Sequence, residues 1–468
     1  MRLDRCRFFP RRLAVAGLLL AMATAFNPFD PEFVRNPYPI YEALRREGAV
    51  ARVRISPRQI IAIIAAMIRM QREQGTRLRD VFGMLRQRSR AQRSQRRSGR
   101  GIRFRARIYT VSRYDEVSYV LKHPEIFSSE VMGGSEVQVI NAEGDISPTS
   151  GSLIAHDPPE HTRQRNIVSR GFTPRRIGQL ESKIRKNAEE LFARFEQRGS
   201  CDLMEEFANP LPVSVIADLL GLDPARRDDF KRWSTALIVG STQPGEGGGL
   251  GNIGLFREFR AYMTNVIAER RQNPGDDLIS TLLHSGEGEG ILDSEQVISF
   301  ASLLLAAGSE TTTNLIGNAV LALSRNPEQF ERVQRDPALV SQVVDETLRY
   351  DAPIQLTARL AMQDSEVAGV AIPRGSIVAV LLASANRDAR QFDDPDRFDI
   401  DRPTPAHLAF GFGNHYCIGA SLARLEGTIA LEMILTRLRG LSLSVDEVER
   451  HGSFLVRGPT TLPVRFDV

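Results

Sequence analysis

The sequence predicts a mainly α-helical fold with a small β-rich part, built as one large domain. Strands are predicted at Val50 to Ile55, at Ile108 to Val111 and from Arg359 onwards. Helices are predicted over longer stretches, namely Tyr38 to Arg45, Tyr114 to Lys122, Asp202 to Leu220, Ala225 to Val239, Ser294 to about Arg325, Pro337 to near Tyr350 and Ser421 to Leu438. No Ser/Pro-rich linker and no internal repeat divides the chain, although 468 residues would allow roughly three domains. A hydrophobic content of 42% is ample for a large core.

A basic segment interrupts an early pair of predicted strands. Val50 to Ile55 and Ile108 to Val111 read as strands, and we expect them to pair as a hairpin. Between them lies an insertion at about residues 55–103, which is apolar from Ile60 to Met70 and then rich in Arg and Gln. Arg52 to Arg107 holds 17 arginines against two acidic residues, so this segment carries +15. The net charge of +4 therefore leaves −11 for the rest of the chain.

Three cysteines, Cys6, Cys201 and Cys417, are scattered along the chain. Their odd number and wide spacing argue against a disulfide framework and for a reducing compartment. An acidic body without disulfides is ordinary for an enzyme of the cytoplasm, which is where we expect the protein. We expect no nucleic-acid partner.

The candidate functional centre is the glycine-rich stretch from Phe410 to Ala420, which presents Cys417 and leads into a helix predicted from Ser421 to Leu438. Glycines let the backbone turn tightly and approach a flat partner closely. A thiolate before a helix lies among free N–H groups at the positive end of the dipole, so we expect a lowered pKa for Cys417. One thiolate suits a single axial bond to iron better than a tetrahedral metal cage. A buried free cysteine beside a loop is the alternative.

The loop as a whole resembles the haem-binding signature of the cytochrome P450 family. Nine positions within fifteen match, namely Phe410, Gly411, Gly413, His415, Cys417, Gly419, Leu422, Ala423 and Arg424. The resemblance implies that Cys417 is the proximal iron ligand of haem b (iron protoporphyrin IX), with the amides of Ile418, Gly419 and Ala420 near its sulfur. It also implies a mainly helical fold with the haem between a long central helix and this loop.

Four cationic or ionisable side chains are implied by the resemblance to bind the haem propionates. His161 and Arg165 are four residues apart on one helical face, and they end a stretch similar to the family pattern Asp-Pro-Pro-Glu-His-x-x-x-Arg. Arginine is suited to bidentate pairing with a carboxylate. Arg359, at the start of a predicted strand, is the second propionate partner that the resemblance implies. His415 is a third candidate, although a lone histidine in a loop more often serves as a cap.

A helix of about thirty residues is predicted from Ser294, as its cap, to about Arg325. At a rise of 1.5 Å per residue it would be roughly 45 Å long, enough to cross the whole molecule. Its middle, Ala306 to Thr312, places a carboxylate and hydroxyl groups among apolar residues, which is costly unless they are paired or hydrated. Gly308 would let a flat group lie against the helix.

The middle of this helix resembles the oxygen-activating segment of the same family. The resemblance implies that Glu310 and Thr311 form an acid–alcohol pair that organises water and delivers protons. A hydrogen bond from the threonine to the carbonyl four residues earlier is the structural alternative. The substrate pocket is expected to be lined by small residues over the haem and by residues just before Arg359: Ala306, Ala307, Ile354, Gln355 and Leu356.

Two further segments have a structural and a functional interpretation. Glu346 and Arg349 are neighbours on one helical face, and such a pair is commonly exposed and worth under ~1 kcal/mol. Between the long helix and the cysteine loop, however, it is similar to the buried structural pair of the family, which supports folding and haem retention. The glycine-rich stretch Gly240 to Gly251 would by resemblance be a lid over the substrate pocket, or else an ordinary surface loop.

The domain organisation follows from the extent of the resemblance. It covers nearly everything from Asn27 apart from the insertion, so residues 27–468 are predicted to form one domain. Residues 1–26 combine five arginines with an apolar run that is shorter than the roughly 20 residues needed to cross a bilayer. An export signal, an interfacial anchor and an upstream extension before a start at Met22 stay open, and we favour the extension. The basic insertion either contacts an anionic membrane surface or is an unstructured or wrongly translated stretch.

The resemblance implies a monooxygenase, an oxidoreductase that inserts one atom of O2 into an apolar small molecule. Electrons would come from a separate ferredoxin and its NAD(P)H-dependent reductase, since the chain has no appended flavin or iron–sulfur domain. Polyketides, terpenoids and fatty acyl chains are the expected substrate classes. A P450-type enzyme that uses peroxide or rearranges its substrate, and a haem-binding protein without turnover, are the alternatives.

Overall fold

The structure is a computed structural model that describes residues 26–28, 30–53, 107–133, 152–242, 253–284, 290–403 and 406–468. The predicted N-terminal extension, apart from Phe26, lies outside these ranges. So do the basic insertion at residues 55–103 and most of the glycine-rich stretch that begins at Gly240. The interpretations of these three segments therefore stay predictions.

Helices form most of the described chain, which confirms the predicted fold class. In chain order they are α1 Pro31–Arg35, α2 Tyr38–Glu47, α3 Tyr114–Lys122, α4 Glu160–Ser169, α5 Pro174–Phe192, α6 Pro210–Leu220, α7 Arg227–Thr242, α8 Ile253–Gln272, α9 Leu278–His284, α10 Ser294–Ser324, α11 Pro327–Arg335, α12 Val340–Tyr350, α13 Leu382–Ala385 and α14 Ala420–Arg437. The long predicted helix is α10, with 31 residues.

The strands are short and lie in three small sheets among the described residues. They are β1 Val50–Val53, β2 Ile108–Val111, β3 Phe127–Ser128, β4 Ser200–Asp202, β5 Thr357–Ala361, β6 Ser365–Val367, β7 Val370–Ile372, β8 Ile377–Val380, β9 Ser442–Leu443 and β10 Pro463–Arg465. The largest sheet has the order β1-β2-β8-β5-β3, with β2 and β8 parallel and the other neighbours antiparallel. Val50 lies opposite Val111, so the predicted pairing of the first two strands is confirmed.

Helix α10 begins one residue earlier than its predicted cap suggested. Asp293, rather than Ser294, is the N-cap, because its carboxylate accepts a hydrogen bond from the Gln296 N–H at 2.8 Å. The Gln296 side chain in turn accepts a hydrogen bond from the Asp293 N–H at 3.1 Å, which completes a capping box. The helix then runs through the interior, packed against α6, α7, α12 and α14.

Two predicted helices are interrupted in the structure. The helix predicted from Asp202 to Leu220 begins only at Pro210, after the end of β4 and a π-helical turn at Met204–Ala208. Proline lacks an N–H and is well placed in a first helical turn, so it starts α6. The helix predicted from Pro337 is likewise a 3-10 turn at Pro337–Leu339 that precedes α12.

Asp351, directly after α12, joins distant parts of the chain. Its carboxylate accepts hydrogen bonds from the Tyr38 hydroxyl at 2.8 Å, from Arg457 Nε at 2.8 Å and from Arg450 Nη2 at 3.0 Å. Burial by itself would raise the pKa of Asp351, but Arg457, Arg450 and Arg387 together lower it. Hydrogen bonds to the buried Asp351 carboxylate therefore join helix α2, through Tyr38, to Arg450 and Arg457 near the C-terminus.

Glu426 is a carboxyl group in the core of α14. Its side chain is 1% exposed, and Oε1 has no hydrogen-bond partner among the described residues. Burial raises the pKa of Glu426 from 4.5 to about 8, so the folded protein keeps it neutral at neutral pH. The unfolded chain loses this proton at lower pH. The folded state therefore binds more protons between these two values, and this group makes stability fall as pH rises from about 4.5 to about 8.

We expect Glu426→Gln to remove most of this pH dependence. The variant should be more stable than the wild type at about pH 8 and nearly equal to it at about pH 5, because glutamine stays neutral at both. Urea denaturation midpoints across this range would measure the difference. Glu432→Gln, on the same helix but partly exposed, is the matched control and should keep the wild-type slope. A wild-type slope in Glu426→Gln would contradict the assignment.

Candidate active site

The loop before α14 is closed by its own backbone. Cys417 N–H donates a hydrogen bond to the Phe410 carbonyl at 2.9 Å, so the loop returns on itself before the helix begins. Gly413, with φ of 69°, lies in the left-handed region that favours glycine. A Cβ there would lie 2.6 Å from the Leu121 carbonyl oxygen near the end of α3. The glycine-rich composition therefore lets the cysteine loop lie directly against α3.

The predicted lowering of the Cys417 pKa is wrong for the protein chain alone. Burial raises the pKa of this thiol, while a hydrogen bond from the Gly419 backbone and the charges of Arg165 and Arg424 act in the opposite direction. Desolvation raises the pKa of Cys417 more than the nearby helix N-terminus lowers it, because α14 begins only at Ala420. A bound metal ion reverses this balance, because a coordinating thiol is deprotonated outright. The loop therefore fits a metal-bound thiolate better than a free one.

Four side chains predicted to hold carboxylates lie close together. His161 and Arg165 come from α4, Arg359 from β5 and His415 from the cysteine loop. The rings of His161 and His415 are 4.1 Å apart between centroids, and Nε2 of each is buried without a hydrogen-bond partner in the described structure. The charges of Arg359 and Arg165 lower the pKa of His415, and the charge of Cys417 acts to raise the pKa of Arg165. The structure thus brings these predicted residues together.

The lowered pKa values of this cluster indicate a binding site for an anion. Burial, with the neighbouring cations, lowers the pKa of His161 to about 4 and that of His415 to about 3. Burial lowers the pKa of Arg359 to about 10, and Asp157 only partly offsets this. Within the described ranges, neither Arg165 nor Arg359 has a carboxylate at ion-pair distance. A group that carries two carboxylates beside an iron, as haem b does, fits these residues.

The middle of α10 faces open space. The helix is buried on both sides of this point, but Ala307 is exposed and Ala306, Glu310 and Thr311 are half-buried. Thr311 Oγ1 donates a hydrogen bond to the Ala307 carbonyl at 2.6 Å, so the structural alternative for this hydroxyl is present. The hydroxyl oxygen can still accept a hydrogen bond from water. The bond to the carbonyl therefore leaves room for the predicted proton role.

Gly308 lies where α10 packs against α6. A Cβ at this position would lie 2.7 Å from Cδ1 of Ile216, so the missing side chain leaves room for this isoleucine. The further role predicted for Gly308, room for a flat group against the helix, stays a prediction.

The residues before Arg359 are divided between two environments. Gln355 forms a hydrogen bond from Nε2 to the Ala352 carbonyl at 2.7 Å and accepts one from the Tyr41 hydroxyl at 3.3 Å. Leu356 lies in the same buried cluster as Tyr41, beside α2. Ile354 instead forms a β-bridge with Val456 and packs against the cluster of the largest sheet. The structure therefore does not group these three side chains, and their place in the substrate pocket stays a prediction.

The Glu346 and Arg349 pair is buried rather than exposed, at 3% and 0% side-chain exposure. The guanidinium donates two hydrogen bonds to the carboxylate, at 2.7 and 2.8 Å. It also donates to three backbone carbonyls of the segment before the cysteine loop, those of Asn386, Pro395 and Arg397. The pair therefore fixes the path of the chain towards Cys417.

A second link between α12 and the cysteine loop was not predicted. Arg424 Nε donates to Asp345 Oδ1 at 2.7 Å, and its guanidinium carbon lies 4.7 Å from the centre of the Phe410 ring. His407 Nε2 lies 3.7 Å from the same carboxylate oxygen. The sequence carried a signal for Arg424, which belongs to the nine matching positions, but none that connected it to Asp345.

A cysteine loop with a half-buried thiol, a cationic cluster beside it and a long helix with an open middle define a haem-thiolate protein. The sequence profile of the family described as Cytochrome P450 matches residues 254–460. Cytochrome P450 107B1 of Saccharopolyspora erythraea is 40% identical over 365 residues, which cover 76% of this chain and 89% of that protein. The 6-deoxyerythronolide B hydroxylase of the same organism is 41% identical over 314 residues, 66% of this chain and 77% of that protein.

A solved structure agrees with these relatives. Cytochrome P450 CYP109Q5 from Chondromyces apiculatus superposes with a TM-score of 0.78 at 37% identity, over 96% of this chain and 99% of that one. The chain belongs to the cytochrome P450 family. It is a haem-thiolate monooxygenase that uses O2, a redox partner and an organic substrate, and its cofactor is haem b. None of the described helices is both long and apolar enough to cross a bilayer.

Proposed function

We propose that this enzyme hydroxylates a bulky apolar small molecule in the open space beside the middle of α10. The observation that carries the proposal is the interruption in burial at Ala306, Ala307 and Thr311, in a helix that is buried along most of its length. Small side chains at the first two positions leave room for a large ligand. A polyketide is the first candidate class, since the relatives include a 6-deoxyerythronolide B hydroxylase and a polyketide biosynthesis cytochrome P450. Terpenoids and fatty acyl chains are further candidates, and all three classes are typical of secondary metabolism.

The residues proposed to hold the haem form two groups. Cys417 would be the iron ligand, with the amides of Ile418 and Gly419 beside its sulfur, and its thiolate would donate electron density to the iron. His161, Arg165, Arg359 and His415 bind the propionates through the donors that lack an anion in the protein alone. When bound, the haem supplies the activation of O2 and the insertion of one oxygen atom into the substrate.

Protons for this reaction are proposed to pass through Glu310 and Thr311. The carboxylate lies where the helix is partly open, and water can reach it there. The threonine hydroxyl donates its proton to the Ala307 carbonyl, and its oxygen can still hold a water molecule by accepting a hydrogen bond from it. The two side chains would in this way supply protons and keep the water ordered.

A ferredoxin with an NAD(P)H-dependent reductase is the proposed electron source, docking on the face near Cys417. We place the enzyme in the cytoplasm, where such partners are available and free cysteines stay reduced. Contact of the basic insertion with a membrane surface remains a separate prediction, because the insertion lies outside the described residues.

Product formation under two electron supplies would test this function. Purified holoenzyme would first be titrated with a library of polyketide, terpenoid and fatty acyl compounds, and binders would be found by the change in haem absorbance. Each binder would then be incubated either with NAD(P)H, ferredoxin and reductase or with hydrogen peroxide alone. Product only with the reductive system supports the proposal. Product with peroxide alone would favour a peroxygenase, and no reductant consumption with any binder would favour a protein without turnover.

We expect Thr311→Ala to uncouple reductant use from product formation. Loss of the hydroxyl removes the group that orders water beside Glu310, so NAD(P)H is still consumed but more of it yields hydrogen peroxide. The ratio of product to NAD(P)H should fall by about tenfold or more, within the usual range for loss of a positioned proton-transfer group. Both quantities would be measured with the tightest binder of the library.

Thr264→Ala is the matched control for this variant. Thr264 lies exposed on α8 and donates the same kind of hydrogen bond, to the Arg260 carbonyl at 2.8 Å. Loss of the Thr264 hydroxyl should leave the ratio of product to NAD(P)H unchanged. Equal coupling in Thr311→Ala and the wild type would remove the threonine from the proposed proton path.

A further inference from the structure

A histidine near the C-terminus contacts the acid of the proposed acid–alcohol pair. His451 Nε2 lies 3.2 Å from Glu310 Oε1, and the two side chains are 23% and 22% exposed. The contact therefore lies at the boundary between the protein interior and solvent. The two residues are far apart in sequence, and no motif in the chain pointed to His451.

The backbone around His451 is held as a narrow hairpin. The N–H of His451 donates to the Gly458 carbonyl at 3.2 Å, and the N–H of Thr460 donates to the Glu449 carbonyl at 2.9 Å. Arg450 lies opposite Pro459 in an antiparallel β-bridge. We call residues 449–460 the C-terminal hairpin.

The C-terminal hairpin packs on one face of α10. Glu310, Asn314 and Asn318 are each one helical turn apart, so they share this face. Gly458 lies so close to Asn314 that a Cβ there would overlap the amide. Asn318 Oδ1 accepts a hydrogen bond from Arg450 Nη1 at 3.2 Å. The C-terminal hairpin therefore contacts this face at three residues, Glu310, Asn314 and Asn318. The contacts at Asn314 and Asn318 fix the position of the hairpin and so of the His451 imidazole.

We propose that His451 is a positioning residue for Glu310. The imidazole holds the carboxylate towards the C-terminal hairpin, at the point where α10 is open to solvent, and thereby fixes the geometry from which the acid–alcohol pair works. Misplacement of a reacting group by about 1 Å can cost about 100-fold in rate, so a contact that restrains the Glu310 side chain matters. The inference rests on the proposed role of Glu310 and adds the residue that orients it.

The first test uses turnover without any added substrate. NAD(P)H, a surrogate ferredoxin and its reductase would be supplied to the holoenzyme, and NAD(P)H oxidation, O2 uptake and hydrogen peroxide release would be measured. We expect His451→Ala to slow O2 consumption by about tenfold, and His451→Gln, which keeps a donor, to retain more of the rate. An O2 uptake rate in His451→Ala equal to that of the wild type would overturn the proposal.

A second variant separates positioning from a merely structural role. In a Glu310→Gln background, His451→Ala should have no further effect, because the residue that it orients is already inactive. An equal additional loss in that background would overturn the proposal in favour of a structural role. His284→Ala removes an exposed histidine that contacts the Arg270 carbonyl and should match the wild type. If Glu310→Gln alone leaves the O2 uptake unchanged, the proposed function of the acid fails, and that result is distinct from a failure at His451.

A third measurement does not depend on turnover. The full-length holoenzyme would be labelled with ¹⁵N-histidine, and the His451 ring resonances would be assigned by their loss in His451→Ala. Glu310→Gln should shift the Nε2 resonance, since the side chain in contact with this nitrogen loses its carboxylate. An Nε2 resonance that does not move would overturn the contact, whatever the kinetics show. The reduced carbon monoxide spectrum of each variant confirms that the haem site is intact.

Discussion

Replacing Cys417 with alanine is expected to abolish the thiolate-type absorbance of the reduced carbon monoxide complex and all monooxygenase turnover. The structure offers no second thiolate for the same place among the described residues. Cys201 lies in β4, is buried, and has its pKa raised to about 12 by desolvation, so it stays a neutral thiol. A variant that still binds haem through its propionate partners should show the spectrum of a different axial ligand.

The reduced carbon monoxide difference spectrum, together with haem content, would check this expectation. Cys201→Ala is the matched control, because it also removes a buried thiol and should keep the thiolate-type band. A thiolate-type band that survives in Cys417→Ala would show that the iron is held elsewhere. A histidine-type spectrum in the wild type would also exclude Cys417 as the ligand.

We expect Arg349→Ala to destabilise the folded protein and so to reduce the amount of haem-containing enzyme. The substitution removes the bidentate partner of the buried Glu346 carboxylate, which keeps a longer contact with Arg402 Nε at 3.4 Å. It also removes the donor that three carbonyls share, those of Asn386, Pro395 and Arg397. Breaking a buried pair in this way costs about 3–5 kcal/mol. Since the whole free energy of unfolding of a domain is about 5–15 kcal/mol, we expect little folded holoprotein at 37 °C.

Haem content per purified protein and the denaturation midpoint would measure this loss. The matched control is Arg332→Ala, which removes an exposed arginine that also donates two hydrogen bonds to a carboxylate, that of Asp401. Solvent screens such a pair, so its loss should leave both quantities close to those of the wild type. If Arg349→Ala folds and binds haem as the wild type does, the buried pair is not required to hold the path to Cys417.

The sequence predicted those features that depend on neighbouring residues. Periodicity located α10 and the first strand pair, and the spacing within the cysteine loop singled out Cys417. Boundaries were less certain where two residues could serve the same purpose, as with Asp293 and Ser294 at the start of α10. Asp293 is the cap because its carboxylate completes a reciprocal pair with Gln296.

Other features depend on residues that meet only in the folded chain. The pKa of Cys417 is set by burial under distant elements, which a dipole argument from the local sequence cannot include. Gln355 is bonded to Tyr41, more than three hundred residues away, and nothing in either stretch indicates this. The contact between Glu310 and His451 is of the same kind.

The shared carboxylate of Asp351 sets a limit on how far the enzyme can be trimmed. Tyr38 supplies one of its donors, and Arg387 stacks on the ring of the same tyrosine at 3.5 Å. A shortened version that starts at Met22 would keep this arrangement. One that starts beyond Tyr38 would leave clustered guanidinium groups open to water on one side. The hydroxyl of Tyr38 therefore marks how far the N-terminus can be shortened without exposing the buried charges around Asp351.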